Sequence, residues 1–170
     1  TPFRKDGLDA LYRYHTGNVL YQNLEHENIP EVFFYQTGIE ASEQEMRTLQ
    51  DRYGDLSLPR LYTWLGENES RNRLIKNVVA EANQDGRVSL VLSERVSHLK
   101  GMHEAFPERS GIIHGAVKGE ERPGVLADNP IVFAITQLAR DGLDRSDLDT
   151  VMITMPFTDK GRFEQIIGRS

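Results

Sequence analysis

The sequence predicts an α/β domain built around a mostly parallel sheet, and three observations carry that prediction. From Val88 onward, short apolar runs alternate with helix-length amphipathic segments, and strands separated in this way favour parallel βαβ units with right-handed crossovers. Two of the runs, residues 131–135 (IVFAI) and 151–155 (VMITM), read as buried strands with polar residues at their ends. A chain of 170 residues with 38% hydrophobic content is also long enough to bury one real core.

Taken in order, Leu8, Leu11 and Tyr12 share one helical face, and Gly17 and Asn18 break the helix they suggest. Residues 19–21 and 32–35 (VFFY) are β-rich runs, with aromatics expected in the core and on the sheet. Ser42 followed by Glu45 is a capping box that opens a helix with Met46 and Leu49 inside. Gly54 and Pro59 end that region. Leu74, Ile75, Val78, Val79 and Ala82 form the stripe of a long amphipathic helix starting near Glu69 and closed by Asp85 and Gly86. Residues 88–92 predict a strand, and Val96, Leu99, Met102 and Phe106 give the inner face of the next helix. Ile112 and Ile113 form another strand, ending at His114 and Gly115. A short Pro-interrupted segment, residues 120–127, leads to the strand at Ile131. Thr136 follows that strand, and a polar loop carries Gly142 and Asp144.

Composition narrows the chemistry. Without cysteine there are no disulfides, thiolate zinc sites or cysteine nucleophiles. The five histidines form no credible metal constellation; His98 and His103, five apart, do not share a helix face as a zinc pair does. A net charge of −6 argues against a nucleic-acid binder that relies on a large basic surface, but leaves room for a local backbone track. No apolar run is long enough to span a bilayer and the start has no signal-like apolar stretch, so the expectation is a cytoplasmic protein without membrane contact.

Thr136, Gly142, Leu143 and Asp144 resemble motif V of the superfamily 2 helicases and translocases, and Gln165-Ile166-Ile167-Gly168-Arg169 resembles the first five positions of motif VI. Residues 88–95, with Ser93, Glu94 and Arg95 at the end, resemble motif IV. His114-Gly115 followed by Glu121-Arg122 is similar to the segment between motifs IV and V, and residues 1–7 (TPFRKDG) resemble the end of motif III and its sequel in the type III restriction-subunit branch. The likeness covers residues 72–170 well, residues 1–15 loosely and the middle hardly at all.

The resemblance implies a three-layer RecA-like domain of the P-loop NTPase type, the second motor domain of an ATP-dependent DNA helicase or translocase. It divides the chain into an entering segment (1–22), an insertion of short helices and turns (23–66) and the RecA-like core (67–170), with the sequence expected to stop inside motif VI. Such a half has no Walker loop and no D-E-x-[DH] run. ATP and Mg2+ are therefore expected only in the full-length enzyme, where an N-terminal RecA-like domain completes the cleft, and the chain alone is not expected to bind or hydrolyse ATP.

By the same resemblance Arg169, with Gln165 nearby, reaches the phosphates, while Gly142, Asp144 and Gly168 line the nucleotide cleft. A guanidinium suits this role because it stays charged and forks onto phosphate oxygens. Thr136, Ser93, Arg95 and Gly115 are the candidates for DNA backbone contacts, which carry no base specificity; Ser93 is equally suited to capping the helix that follows it. A nuclease or other effector is a possible partner. The rival reading is a non-enzymatic α/β module that binds a partner protein through residues 23–66.

Overall fold

In a computed structural model, residues 31–140 and 145–156 are described, with Ala139 and Arg140 as backbone only. The chain divides into two compact units, Thr1–Phe33 and Phe34–Ser170; the elements below belong to the second. They are α1 (Glu43–Leu49), α2 (Leu58–Glu67), α3 (Glu69–Gln84), β1 (Ser89–Ser93), α4 (Val96–His103), β2 (Ser110–Ile113), α5 (Arg122–Asp128), β3 (Ile131–Ile135), α6 (Thr136–Arg140) and β4 (Thr150–Ile153).

The four strands form one sheet in the order β2-β3-β1-β4 with every pairing parallel. Successive side chains on a strand point to opposite faces, and here both faces are covered. Leu90, Leu92, Val132 and Ala134 pack with Ile113 and Leu126 on one side, joined by Val125 and Leu138. Val91, Ile131 and Phe133 pack with Val79, Leu99 and Met102 on the other. Helices α5 and α6 thus cover one face and α3 and α4 the opposite one, which makes the expected three-layer α/β architecture, consistent with a RecA-like domain. The apolar runs at β1 and β3 lack strand-like alternation because both of their faces are covered.

Local chemistry explains the helix ends. Ser42 Oγ accepts from the Glu45 amide at 3.3 Å, and the Glu45 carboxylate takes the Ser42 amide at 2.9 Å, completing the capping box. Asn68 ends α2 and caps α3, its side-chain oxygen accepting from the Arg71 amide at 3.0 Å, so the two helices meet at one residue. Gly86, at φ 77°, turns the chain out of α3 into β1, a conformation in which a Cβ would be strained.

Four expectations need correction. Residues 32–35 form no strand; Val32, Phe33, Phe34 and Tyr35 are 51%, 64%, 89% and 56% exposed, because β-propensity alone gives the backbone no ladder partner. Met46 is 42% exposed, so Leu49 is the residue of α1 that enters the interior. Pro59 starts a helix rather than ending a region, and Pro123 stands likewise in the first turn of α5, where the missing N–H costs nothing. Thr136 opens α6 directly instead of a loop.

Gly111 shows how closely α5 sits on β2. A Cβ there would stand 2.5 Å from Val125 Cγ1 and 2.9 Å from Asn129 Nδ2, and Asn129 is tied to the Val125 carbonyl at 2.9 Å. Gly111→Ala is expected to destabilise the fold by about 1–3 kcal/mol through overpacking, read as a lowered urea midpoint; an unchanged midpoint would show that α5 can shift at no cost.

Candidate functional site

Because all strands run the same way, their carboxyl ends share one edge of the sheet, and ligands of open parallel sheets bind outside that edge. Along it stand His114 and Gly115 after β2, Thr136 after β3, Ser93 to Arg95 after β1, and Thr154 after β4. The structure therefore brings Thr136, Ser93, Arg95 and Gly115 to a single rim. Gln165, Gly168, Arg169, Gly142 and Asp144 lie outside the described residues.

The four rim residues differ in accessibility. Gly115 is exposed, and a Cβ there would meet nothing within 4 Å. Thr136 is 1% and Ser93 0% exposed. The Ser93 hydroxyl accepts from the Arg95 amide at 3.2 Å and lies 3.0 Å from His98 Nδ1; it organises the turn into α4 from within. Arg95 is half-buried, its guanidinium folded back onto the Pro59 carbonyl of α2, while its Nε is buried without a partner. Of these four, Gly115 is the exposed one, and a close backbone approach is what a glycine permits.

Behind the rim lies a buried polar cluster that motif reading missed. Arg71, 7% exposed, donates from Nη2 to the Thr154 carbonyl and from Nη1 to the Leu65 carbonyl at 3.3 Å. Asn72 donates to the Gly66 carbonyl at 2.7 Å and its Oδ1 lies 3.1 Å from His98 Nε2. Thr154 donates its hydroxyl to the Leu92 carbonyl at 2.6 Å. Arg71 and Asn72 so satisfy carbonyls that the last turn of α2 leaves unpaired, and the positive guanidinium suits the negative end of that helix. The signal lay in the sequence as a polar pair, Arg71 and Asn72, in the first turn of an amphipathic helix, but nothing there revealed that they turn inward.

His98 is held neutral in this cluster. Its burial pushes the imidazole down from 6.5 to about 4, and the charges of Arg71 and Lys76 push the same way. Glu45 moves down to about 2, chiefly through the Trp64 indole N–H, which donates to it at 2.9 Å, and through Ser42.

Among the described residues no group of His, Asp or Glu side chains could hold a metal ion, and no helix is long and apolar enough to cross a membrane. Comparison with protein-family models and with curated proteins finds no match.

Proposed function

We propose that the chain is the second motor domain of a superfamily 2 DNA helicase or translocase, a cytoplasmic enzyme. The observation that carries the reading is the meeting of sequence pattern and topology. The motif IV-like, H-G and motif V-like residues Ser93, Arg95, Gly115 and Thr136 are scattered over more than forty positions, yet they line one carboxyl edge of an all-parallel sheet. In this reading the rim contacts the phosphate backbone of DNA without reading bases. Gly142, Asp144, Gln165, Gly168 and Arg169 complete a nucleotide cleft against an N-terminal RecA-like domain. ATP and Mg2+ would lie between the two domains, and this chain would contribute positive charge and positioning through Arg169 and Gln165. Closure of the cleft grips the strand and opening releases it.

The test is DNA-stimulated ATP hydrolysis by the full-length protein. Arg169→Ala is expected to lower kcat by about a hundredfold or more, the loss typical when a charge-stabilising group is taken from a transition state. Unchanged stimulated turnover defeats the assignment.

A second reading, a partner-binding module, draws on Met46, Tyr53 and Leu56 in and after α1, which are 42%, 73% and 50% exposed. Large exposed apolar groups on neighbouring segments are a usual mark of an interface. Absence of a Walker loop from the full-length protein would favour it over the motor.

A further inference from the structure

A single run of hydrogen bonds crosses from the end of α2 to the end of β1, and every proton in it can be placed. Asn72 of α3 lies 2.7 Å from the Gly66 carbonyl in the last turn of α2. A carbonyl only accepts, so the amide nitrogen of Asn72 is the atom turned to it, and Oδ1 is left for His98 Nε2, 3.1 Å away. An amide oxygen also only accepts. The imidazole therefore carries its proton on Nε2 and, because burial keeps the ring neutral, Nδ1 is bare and takes the Ser93 hydroxyl proton at 3.0 Å. The Ser93 oxygen then has its lone pairs free to accept from the Arg95 amide at 3.2 Å.

The opposite tautomer does not fit. It would set a bare Nε2 against the Asn72 oxygen, lone pair facing lone pair, at a side chain 4% exposed, where an unmade bond is costly. The end of α2 also closes directly on the ring: a Cβ at Gly66 would stand 3.3 Å from His98 Cβ, so this approach suits a glycine. The imidazole is thus held on its Nε2 side by α2 and α3 and passes that constraint through Nδ1 to the turn after β1. Ser93 is 0% exposed, so its oxygen serves the shape of the turn rather than meeting a ligand directly.

We propose that His98 is a positioning residue, an Nε2-protonated relay that acts through the Ser93 hydroxyl to fix residues 93–95 at the carboxyl edge in the geometry in which they meet the DNA backbone. The DNA role rests on the motor reading, which assigns this turn to DNA; the direction of the hydrogen bonds does not. Backbone contacts of this kind depend on donors held in register with the phosphates, and a turn tied to the ends of α2 and α3 is held more firmly than one tied to its own residues alone.

Nitrogen-15 spectra of the imidazoles in the 170-residue chain, at neutral pH, should show His98 protonated on Nε2 and bare at Nδ1; a proton on Nδ1 would overturn the relay. His98→Asn places a side-chain oxygen near the position of Nδ1 and can still accept from Ser93, whereas His98→Gln reaches to the position of Nε2 and leaves the hydroxyl without its acceptor. Hydrogen exchange at the Arg95 amide should therefore be faster in His98→Gln than in the parent, and closer to the parent in His98→Asn. The Leu99 amide, bonded to the Arg95 carbonyl at 3.1 Å, should stay protected in both. A general loss of stability would speed the two amides alike, and that result, or no change at Arg95, would dispose of the relay.

In the full-length protein the Kd for a single-stranded oligonucleotide should rise about two- to tenfold in His98→Gln, the span of one net hydrogen bond, with His98→Asn in between. Gly115→Asp separates this effect from the motor reading. It sets a carboxylate on the same edge, where a Cβ meets nothing within 4 Å, and should weaken DNA binding by charge repulsion. If Gly115→Asp weakens binding and His98→Gln does not, the positioning role is wrong and the motor reading stands. If neither does, the edge does not meet DNA and both fall. Should His98→Gln not fold, Asn72→Ala keeps the ring but removes the acceptor that selects its tautomer. That variant should admit protonation at Nδ1 and speed Arg95 exchange; a ring still protonated on Nε2 alone, with Arg95 exchange unaltered, would refute the relay.

Discussion

Phe133→Ala is expected to remove about 3–5 kcal/mol of folding stability, the usual range for truncating a buried aromatic. Phe133 is fully buried at the middle of β3, itself an inner strand flanked by β2 and β1. Its ring packs with Val79 of α3, Leu99 and Met102 of α4 and Val91 of β1, and lies stacked on Phe106 with centroids 6.3 Å apart and planes 29° from parallel. The void left by an alanine would be bounded by two helices and by sheet backbone already fixed in a hydrogen-bonded register. Such walls relax little, and incomplete collapse is what moves a truncation toward the upper end of its range. Total stabilities of about 5–15 kcal/mol are usual for single domains, so this one change would consume a large share. Urea denaturation at neutral pH measures it, with Met46→Ala as the control: that side chain is 42% exposed, and its loss should stay within about 0.5 kcal/mol. Equal effects at the two positions would mean that α3 and α4 do not press on the sheet as described.

How far the sequence foretold this architecture depended on the range of the interactions involved. The capping box at Ser42 and Glu45 and the stop at Gly86 are local chemistry, set by residues three or four apart, and both stand where the pattern put them. The long stripe ending at Ala82 also became a helix, α3, with Val79 and Ala82 buried. The apolar runs at β1 and β3 revealed strands because burial on both faces leaves so plain a mark. By contrast, residues 32–35 have the composition of a strand without a neighbour to pair with, and pairing is a property of the whole fold. The same limit applies to the rim. Thr136, Ser93, Arg95 and Gly115 could be named from their places in the sequence, but that Ser93 and Thr136 are buried, and that Arg95 turns back onto the Pro59 carbonyl of α2, are tertiary outcomes that no motif records. Gln165, Gly168, Arg169, Gly142 and Asp144 lie outside the described residues, so their part in the site rests on resemblance.

The stability of the fold should fall as pH drops from about 6.5 to 4, and His98 should be the reason. The imidazole is 4% exposed, wedged between the Ser93 hydroxyl on Nδ1 and the Asn72 amide oxygen on Nε2. It meets Arg71 and Lys76 of α3 as like charges whenever it protonates. Its folded pKa of about 4 lies below the 6.5 of an unperturbed histidine. Between those values the unfolded chain takes up a proton that the folded protein refuses, so unfolding gains on folding as acid is added. The contribution is complete above pH 6.5 and is lost progressively as pH falls to 4. A gap of this size corresponds to about 3 kcal/mol at about 1.4 kcal/mol per pH unit, as an upper figure. Glu45, down at about 2 from 4.5, adds its own acid sensitivity from about pH 4.5 downward, so the two effects overlap only at the acid end of the His98 window. Urea titrations at half-unit steps from pH 7.5 to 4, run on the parent chain and on His98→Gln, supply the comparison. Glutamine carries no proton in this range, so whatever its absolute stability, the variant should lose most of the slope. Parallel curves for the two proteins would show that the imidazole titrates freely, and with it the view of α3 and α4 closed tightly over the ends of β1 and β4 would have to be given up.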